Sequence, residues 1–204
     1  MTVTSQSLQR TLSSIAPFDQ LPSAAIASLT QSGQLLRYRI GQPIVRPEAL
    51  PQLVLITEGQ ARLLGEDPRN DKPVTLRLLG AGALLGVVGM LRGQPCETAI
   101  ASSEVIGLQF SIATFQQMMD SHPEFAAAIR DRLYLAEVFD LLARQVNDQA
   151  ADAGDLAHLA KRSQQSGVVR YLPYGKRPLD LQRPGDYTWF VSSGTIINKP
   201  MGSQ

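Results

Sequence analysis

Few residues in this chain are of the types that carry covalent or metal chemistry. Two histidines and one cysteine among 204 residues bring a Cys/His metal site close to exclusion by count alone, and no cofactor is implied. His122 and His158 sit in helical contexts, and no nucleophile, base and orienting group fall together, so no catalytic residue is assigned and the chain reads as a non-enzyme. Cys96 cannot form an internal disulfide and suits a reducing compartment. With no basic cluster beside it to lower its pKa, it reads as a half-buried thiol rather than a redox switch. The remaining candidate chemistry is recognition, in the glycine-punctuated segment from Leu79 to Ala101.

Lysine and arginine total 19 against 18 aspartate and glutamate, and a net charge of +1 gives no electrostatic footprint for nucleic acid or anionic lipid. Met1 to Ser14 is polar and lacks the apolar core of a secretory signal. Gly80 to Leu91 is too short, and Phe125 to Val146 too charged, to cross a bilayer. The expected location is the cytoplasm.

The elements that must position the glycine segment follow from the apolar periods. Leu8, Leu12 and Ile15 recur at helical spacing, and Pro22 opens a second helix with Ile26 and Leu29 on its apolar face. From Leu35 the texture changes to short apolar runs at 35–40, 53–56, 60–64, 74–79, 83–85, 98–101 and 105–110. Gly41, Gly59, Gly65, Gly80, Gly82 and Gly86 punctuate them, which predicts a sandwich or barrel. Ser111 is placed to N-cap a helix presenting Phe115, Met118 and Met119. A long helix is expected from near Pro123 to about Gln145, with Ile129, Leu133, Ala136, Phe139, Leu142 and Val146 on one face and Asp140 paired to Arg144. Leu135, Val138 and Leu141 widen its apolar surface beyond the need of one barrel, which predicts a second chain or domain against it.

This order of helix, glycine-punctuated barrel, short helix and long helix resembles the cyclic-nucleotide-binding domains of the catabolite-activator and Fnr type. The likeness is carried by Phe18-Asp19-Gln20-Leu21-Pro22, by Ile56-Thr57-Glu58-Gly59-Gln60-Ala61-Arg62-Leu63 and by Leu79-Gly80-Ala81-Gly82-Ala83-Leu84-Leu85-Gly86, and it covers residues 18–146. It implies a mainly β, α+β fold: a double-stranded β-helix or jelly-roll barrel with flanking helices, followed by a long helix. In that family a short helix after the last cassette glycine aims N–H groups at the cyclic phosphate. A glutamate just after that glycine takes the ribose hydroxyl, and an arginine about eleven residues past it neutralises the phosphate. With Ala99 and Ala101 fixing the register, the glycine is Gly86, the ribose position falls on Val87 and the phosphate position on Glu97. The resemblance thus implies a degenerate pocket of Gly86, Val87, Val88, Gly89, Glu97 and Thr98. Two unit charges about 4 Å apart interact by roughly 4 kcal/mol at an effective dielectric near 20, and exchanging attraction for repulsion shifts the balance by about twice that. cAMP and cGMP are therefore not expected as ligands. Arg92 is read as a solvated helix-end arginine rather than a stand-in for the missing one.

The chain divides on this reading into a barrel unit, 1–146, and a linker with a partial second barrel-like segment, 147–204. Tyr174-Gly175-Lys176-Arg177-Pro178-Leu179 is similar to Ile40-Gly41-Gln42-Pro43-Ile44, and Trp189 to Ile196 lies over Val54 to Ala61. Arg92 to Ser102 and Trp189 to Gly194 resemble the N-terminal regulatory region of bacterial peptidase-containing secretion ABC transporters. That implies a regulatory, sensor or docking module partnered with a membrane exporter or its peptidase domain, at the cytoplasmic side of the membrane, and a homodimer through the long helix, 124–146. Two alternatives stand beside it. One is a Crp/Fnr-type transcription regulator with a divergent helix-turn-helix in Leu156 to Leu172. Seven Lys and Arg against five Asp in 147–204 give that a weak footprint for DNA. The other is a barrel retuned for another small ligand, with Glu97 as the anchor.

Overall fold

A computed structural model of the chain describes residues 5–67, 69, 73–149, 155–172, 188 and 190–192. Two helices, α1 (Ser5–Ser13) and α2 (Ser23–Ser32), flank a single 3-10 turn at Phe18–Gln20 and lead into eight strands. These are β1 (Gln34–Tyr38), β2 (Pro43–Val45), β3 (Leu53–Glu58), β4 (Ala61–Gly65), β5 (Val74–Leu79), β6 (Leu84–Leu85), β7 (Thr98–Ala101) and β8 (Val105–Phe110). A short helix, α3 (Val87–Arg92), lies between β6 and β7, and α4 (Ile112–Ser121), α5 (Pro123–Arg130), α6 (Leu135–Gln149) and α7 (Leu156–Ser166) follow β8.

The strands form two antiparallel four-stranded sheets, in the orders β1-β8-β3-β6 and β2-β7-β4-β5. Their facing side chains, among them Ile44, Val54, Ile56, Ala61, Ala99 and Val105, make the inner core. The first sheet is apolar on both faces because its outer face is covered too. In β3, Val54 and Ile56 point inward, while Leu53 and Leu55 meet a second core built by α1, α2, α3, α4 and α5. Phe18, Phe110, Phe115 and Phe125 cluster there, with ring centroids 5.4 Å apart for Phe18–Phe125 and 5.6 Å for Phe115–Phe125. Leu63 and Leu76 of the second sheet meet a third core supplied by α6 and α7. The architecture is the expected jelly-roll barrel with flanking helices. Ser111 caps α4 as its sequence predicts, accepting the Thr114 N–H at 3.0 Å. Asp140 and Arg144 pair at 2.6 Å.

The single long helix expected from Pro123 is two helices, separated by Asp131–Tyr134. The break has a hydrogen-bonding cause. The Tyr134 hydroxyl donates to the Ile129 carbonyl at 2.9 Å. The Arg130 carbonyl accepts from Arg92 Nη2 at 3.3 Å and from the Tyr171 hydroxyl at 2.6 Å. Side chains therefore satisfy the two carbonyls that a continuous helix would have offered to its own next turn. The break also divides the expected apolar stripe: Ile129 joins the helical core below the first sheet, while Ala136, Phe139 and Val146 join the third core. Leu135 and Val138, expected to meet a second chain or domain, share the third core with Leu63 and Leu76 of the barrel and with Leu156 and Ala160 of α7, which belongs to the segment 147–204.

The helix-turn-helix alternative needs a second helix within 156–172. Instead α7 runs unbroken to Ser166, and 167–172 carries no helix. Most of the proposed repeat, 174–179 and 189–196, lies outside the described residues; Phe190, Val191 and Ser192 are described and form no strand. No helix among the described residues is long and apolar enough to cross a membrane.

Candidate functional site

The cassette turns on Gly86. Its φ of +80° is left-handed, and a Cβ there would lie 1.8 Å from the Gln52 carbonyl oxygen, so only glycine allows β6 to pass into α3 so close to the residue that leads into β3. Gly89 lets α3 lie against the returning chain, since a Cβ would be 3.3 Å from Pro95 Cβ. Val87 and Val88 are fully buried but face the helical core rather than a pocket. Thr98 is half-buried at the start of β7, opposite Leu64.

Glu97 is turned inward and only 7% exposed. Its Oε2 accepts the Val88 N–H at 3.2 Å, and the Gly86 N–H lies near enough to favour the carboxyl's charge. The side chain thus sits at the start of α3. Burial pushes its pKa up to about 7; the N–H groups of Val88 and Gly86 pull the other way, and nearby Glu137 adds to the rise. The cavity left beside Glu97, bounded by Gln52, Gly86, Gly89 and Pro95, is about 30 Å³, the space of a water molecule. Cys96, next in the chain, has its thiol pKa raised, chiefly by burial and then by Glu97, as befits an inert thiol.

Arg92, at the other end of α3, departs from the sequence expectation. It is not solvated. It is 9% exposed, and its Nε donates to Glu137 Oε1 on α6 at 2.9 Å. Nη1 donates to the Tyr171 hydroxyl at 3.2 Å, and the guanidinium lies over the Tyr171 ring. Ser192 Oγ also donates to Glu137 Oε1, while Glu137 Oε2 is buried without a partner. One arginine therefore ties the cassette helix to α6, to the end of α5 and to the C-terminal segment. A sequence signal existed for Glu137, a carboxylate set among Leu135, Ala136, Val138 and Phe139; none existed for Arg92, whose partner is 45 residues away.

Glycine turn, short helix and returning strand inside a two-sheet barrel define a class of protein. Residues 35–122 match the family model of the cyclic nucleotide-binding domain, and the barrel has that fold. Among solved structures, the chain is similar to the regulatory domain of Toxoplasma gondii PKA, solved with cAMP (16% identity, TM-score 0.54, 71% of this chain and 50% of that one). It is also similar to the regulatory subunit of a cAMP-independent protein kinase A from Trypanosoma cruzi, bound to guanosine (16% identity, TM-score 0.55, 72% and 50%). A third is the sensor domain of the transcriptional regulator DNR from Pseudomonas aeruginosa (16% identity, TM-score 0.54, 74% and 97%). The chain spans about half the length of the first two. No curated protein matches it in sequence. The fold is thus one found in regulatory and sensor domains.

Proposed function

We propose that this chain is a non-enzymatic regulatory or docking module whose cassette is closed by its own Glu97 and does not take a cyclic nucleotide. The observation that carries the reading is the buried Glu97 carboxyl held by the Val88 N–H at the start of α3, beside a cavity of about 30 Å³. A drug-sized ligand needs about 300 Å³ or more. A cyclic phosphate would have to displace a tethered side chain and, where that side chain is ionised, meet its charge. A pocket retuned for a cation with Glu97 as anchor would have only the same cavity of about 30 Å³ to hold it. On this reading residues 1–146 are the module and 147–204 a second segment. A homodimer through 124–146 and a place beside a bacterial exporter are supported by the family resemblance alone.

Calorimetry with cAMP and cGMP at neutral pH tests the proposal. The expected result is no binding tighter than millimolar by the unmodified protein, and a measurable gain in Glu97→Ala, which empties the seat. Guanosine, the uncharged ligand of the T. cruzi neighbour, serves as the control that carries no phosphate. Micromolar binding of either cyclic nucleotide by the unmodified protein would overturn the reading.

A further inference from the structure

Tyr171, which holds Arg92, also lines an open cleft of about 780 Å³. Its walls come from β5, the α5–α6 connection, the end of α7 and the chain that follows. Arg77, Arg132 and Arg170 line it against one carboxylate, Asp131. Among the described residues none of the three guanidiniums makes an ion pair with a carboxylate. Arg77 Nη2 donates to Gln164 Oε1 at 2.9 Å, Arg132 lies over the Tyr134 ring, and all three arginines are exposed.

The walls are held in place. Gln164 bridges two of them, since its Nε2 donates to the Leu133 carbonyl at 2.8 Å while its Oε1 holds Arg77. Gly167 packs α7 onto the connection so closely that a Cβ would lie 2.7 Å from Leu133 Cδ1. Tyr171, 54% exposed, is fixed by its hydroxyl on the Arg130 carbonyl, which leaves an amphipathic ring and Val168 as apolar surface beside the guanidiniums. Guanidinium forks that pair with no carboxylate among the described residues suit carboxylate and phosphate oxygens, and the volume suits a small molecule.

We infer that this cleft is a second ligand site, separate from the cassette, for a small molecule bearing at least two anionic groups, phosphate or carboxylate. It needs no participation by Glu97, so it stands whether or not the cassette binds a nucleotide. A ligand there touches Tyr171, which also holds Arg92 of the cassette helix, so occupancy reaches that helix through one side chain.

Titration of the whole chain with pyrophosphate and, separately, with citrate tests the site and tells the two oxyanion chemistries apart. Saturable binding of at least one is expected, weakening as salt is raised. The exposed pair Arg132→Gln with Arg170→Gln should weaken it by about tenfold or more, the loss expected for charge-assisted bonds. A melting curve matching the unmodified protein's excludes misfolding of the double variant, and Arg170→Lys should keep part of the affinity. No saturable binding of either anion, or binding indifferent to the arginine pair, overturns the assignment. So does a DNA duplex that binds when neither small anion does.

Discussion

The two ends of α3 bury opposite charges by different means. At its start the Glu97 carboxyl has only backbone N–H partners and a pKa pushed up to about 7, so its charge is negotiable near neutrality. At its end the Arg92 guanidinium, which does not titrate in proteins, has a carboxylate, a carbonyl and a phenol around it. The contrast teaches that one six-residue helix is anchored by a group that can give up its charge and by one that cannot. Breaking the second should cost most.

Arg92→Met leaves Glu137 buried 5% exposed in its side chain with no cation, and removal of one partner of a buried pair typically costs about 3–5 kcal/mol. Urea denaturation should register that loss. The double change Arg92→Met with Glu137→Leu removes both charges together and should recover most of it, since apolar replacement of a buried pair is often neutral or better. Equal losses in the single and double variants would mean that packing, not charge, makes Arg92 matter.

Glu97 offers the complementary test. Its folded-state pKa, about 7, lies above the ordinary value of 4.5, so the folded protein binds this proton more tightly than the unfolded chain does. The stability contributed is full below about pH 4.5 and is lost as pH rises through about 7, a change of at most about 3 kcal/mol. Glu97→Gln, which keeps the shape without titrating, should flatten this part of the profile in denaturation curves taken at pH values on either side of the window. A wild-type stability that rises across the same window would contradict a protonated, buried Glu97.

The barrel was largely legible because its signals are local. The continuous apolar run Leu53–Ile56 marks a strand covered on both faces, and Gly86, Ala99 and Ala101 set the cassette register well enough to bring Glu97 to the start of α3. β2 was missed because it has three residues, one of them proline, and pairs only with β7. The direction of Val87 was not legible either, since the first residue of a six-residue helix can face core or pocket with no periodicity to decide it. The break in the expected long helix was hidden for a different reason. Ile129, Leu133 and Ala136 carry the helical period straight through it, and the groups that end α5 are the side chains of Arg92, Tyr134 and Tyr171. Long-range hydrogen bonds, not local propensity, decided that point.

Tyr171→Phe sharpens the comparison at the smallest scale. It removes one hydroxyl that donates to the Arg130 carbonyl at 2.6 Å and accepts from Arg92 Nη1 at 3.2 Å, while keeping the ring under the guanidinium. The Arg130 carbonyl keeps Arg92 Nη2, and Arg92 keeps Glu137, so neither group is stranded. The global cost should then be that of an ordinary hydrogen bond, about 0.5–1.5 kcal/mol. The local effect should be larger than the global one, because Tyr171 is a hydrogen-bonded anchor of the segment beyond α7 whereas Arg92 has others. Trypsin cleavage after the exposed Arg170 should therefore accelerate in Tyr171→Phe before the urea midpoint moves far. If the midpoint falls as far as in Arg92→Met, the phenol is part of the charge cluster itself. If cleavage is unchanged, the segment is held by contacts other than Tyr171.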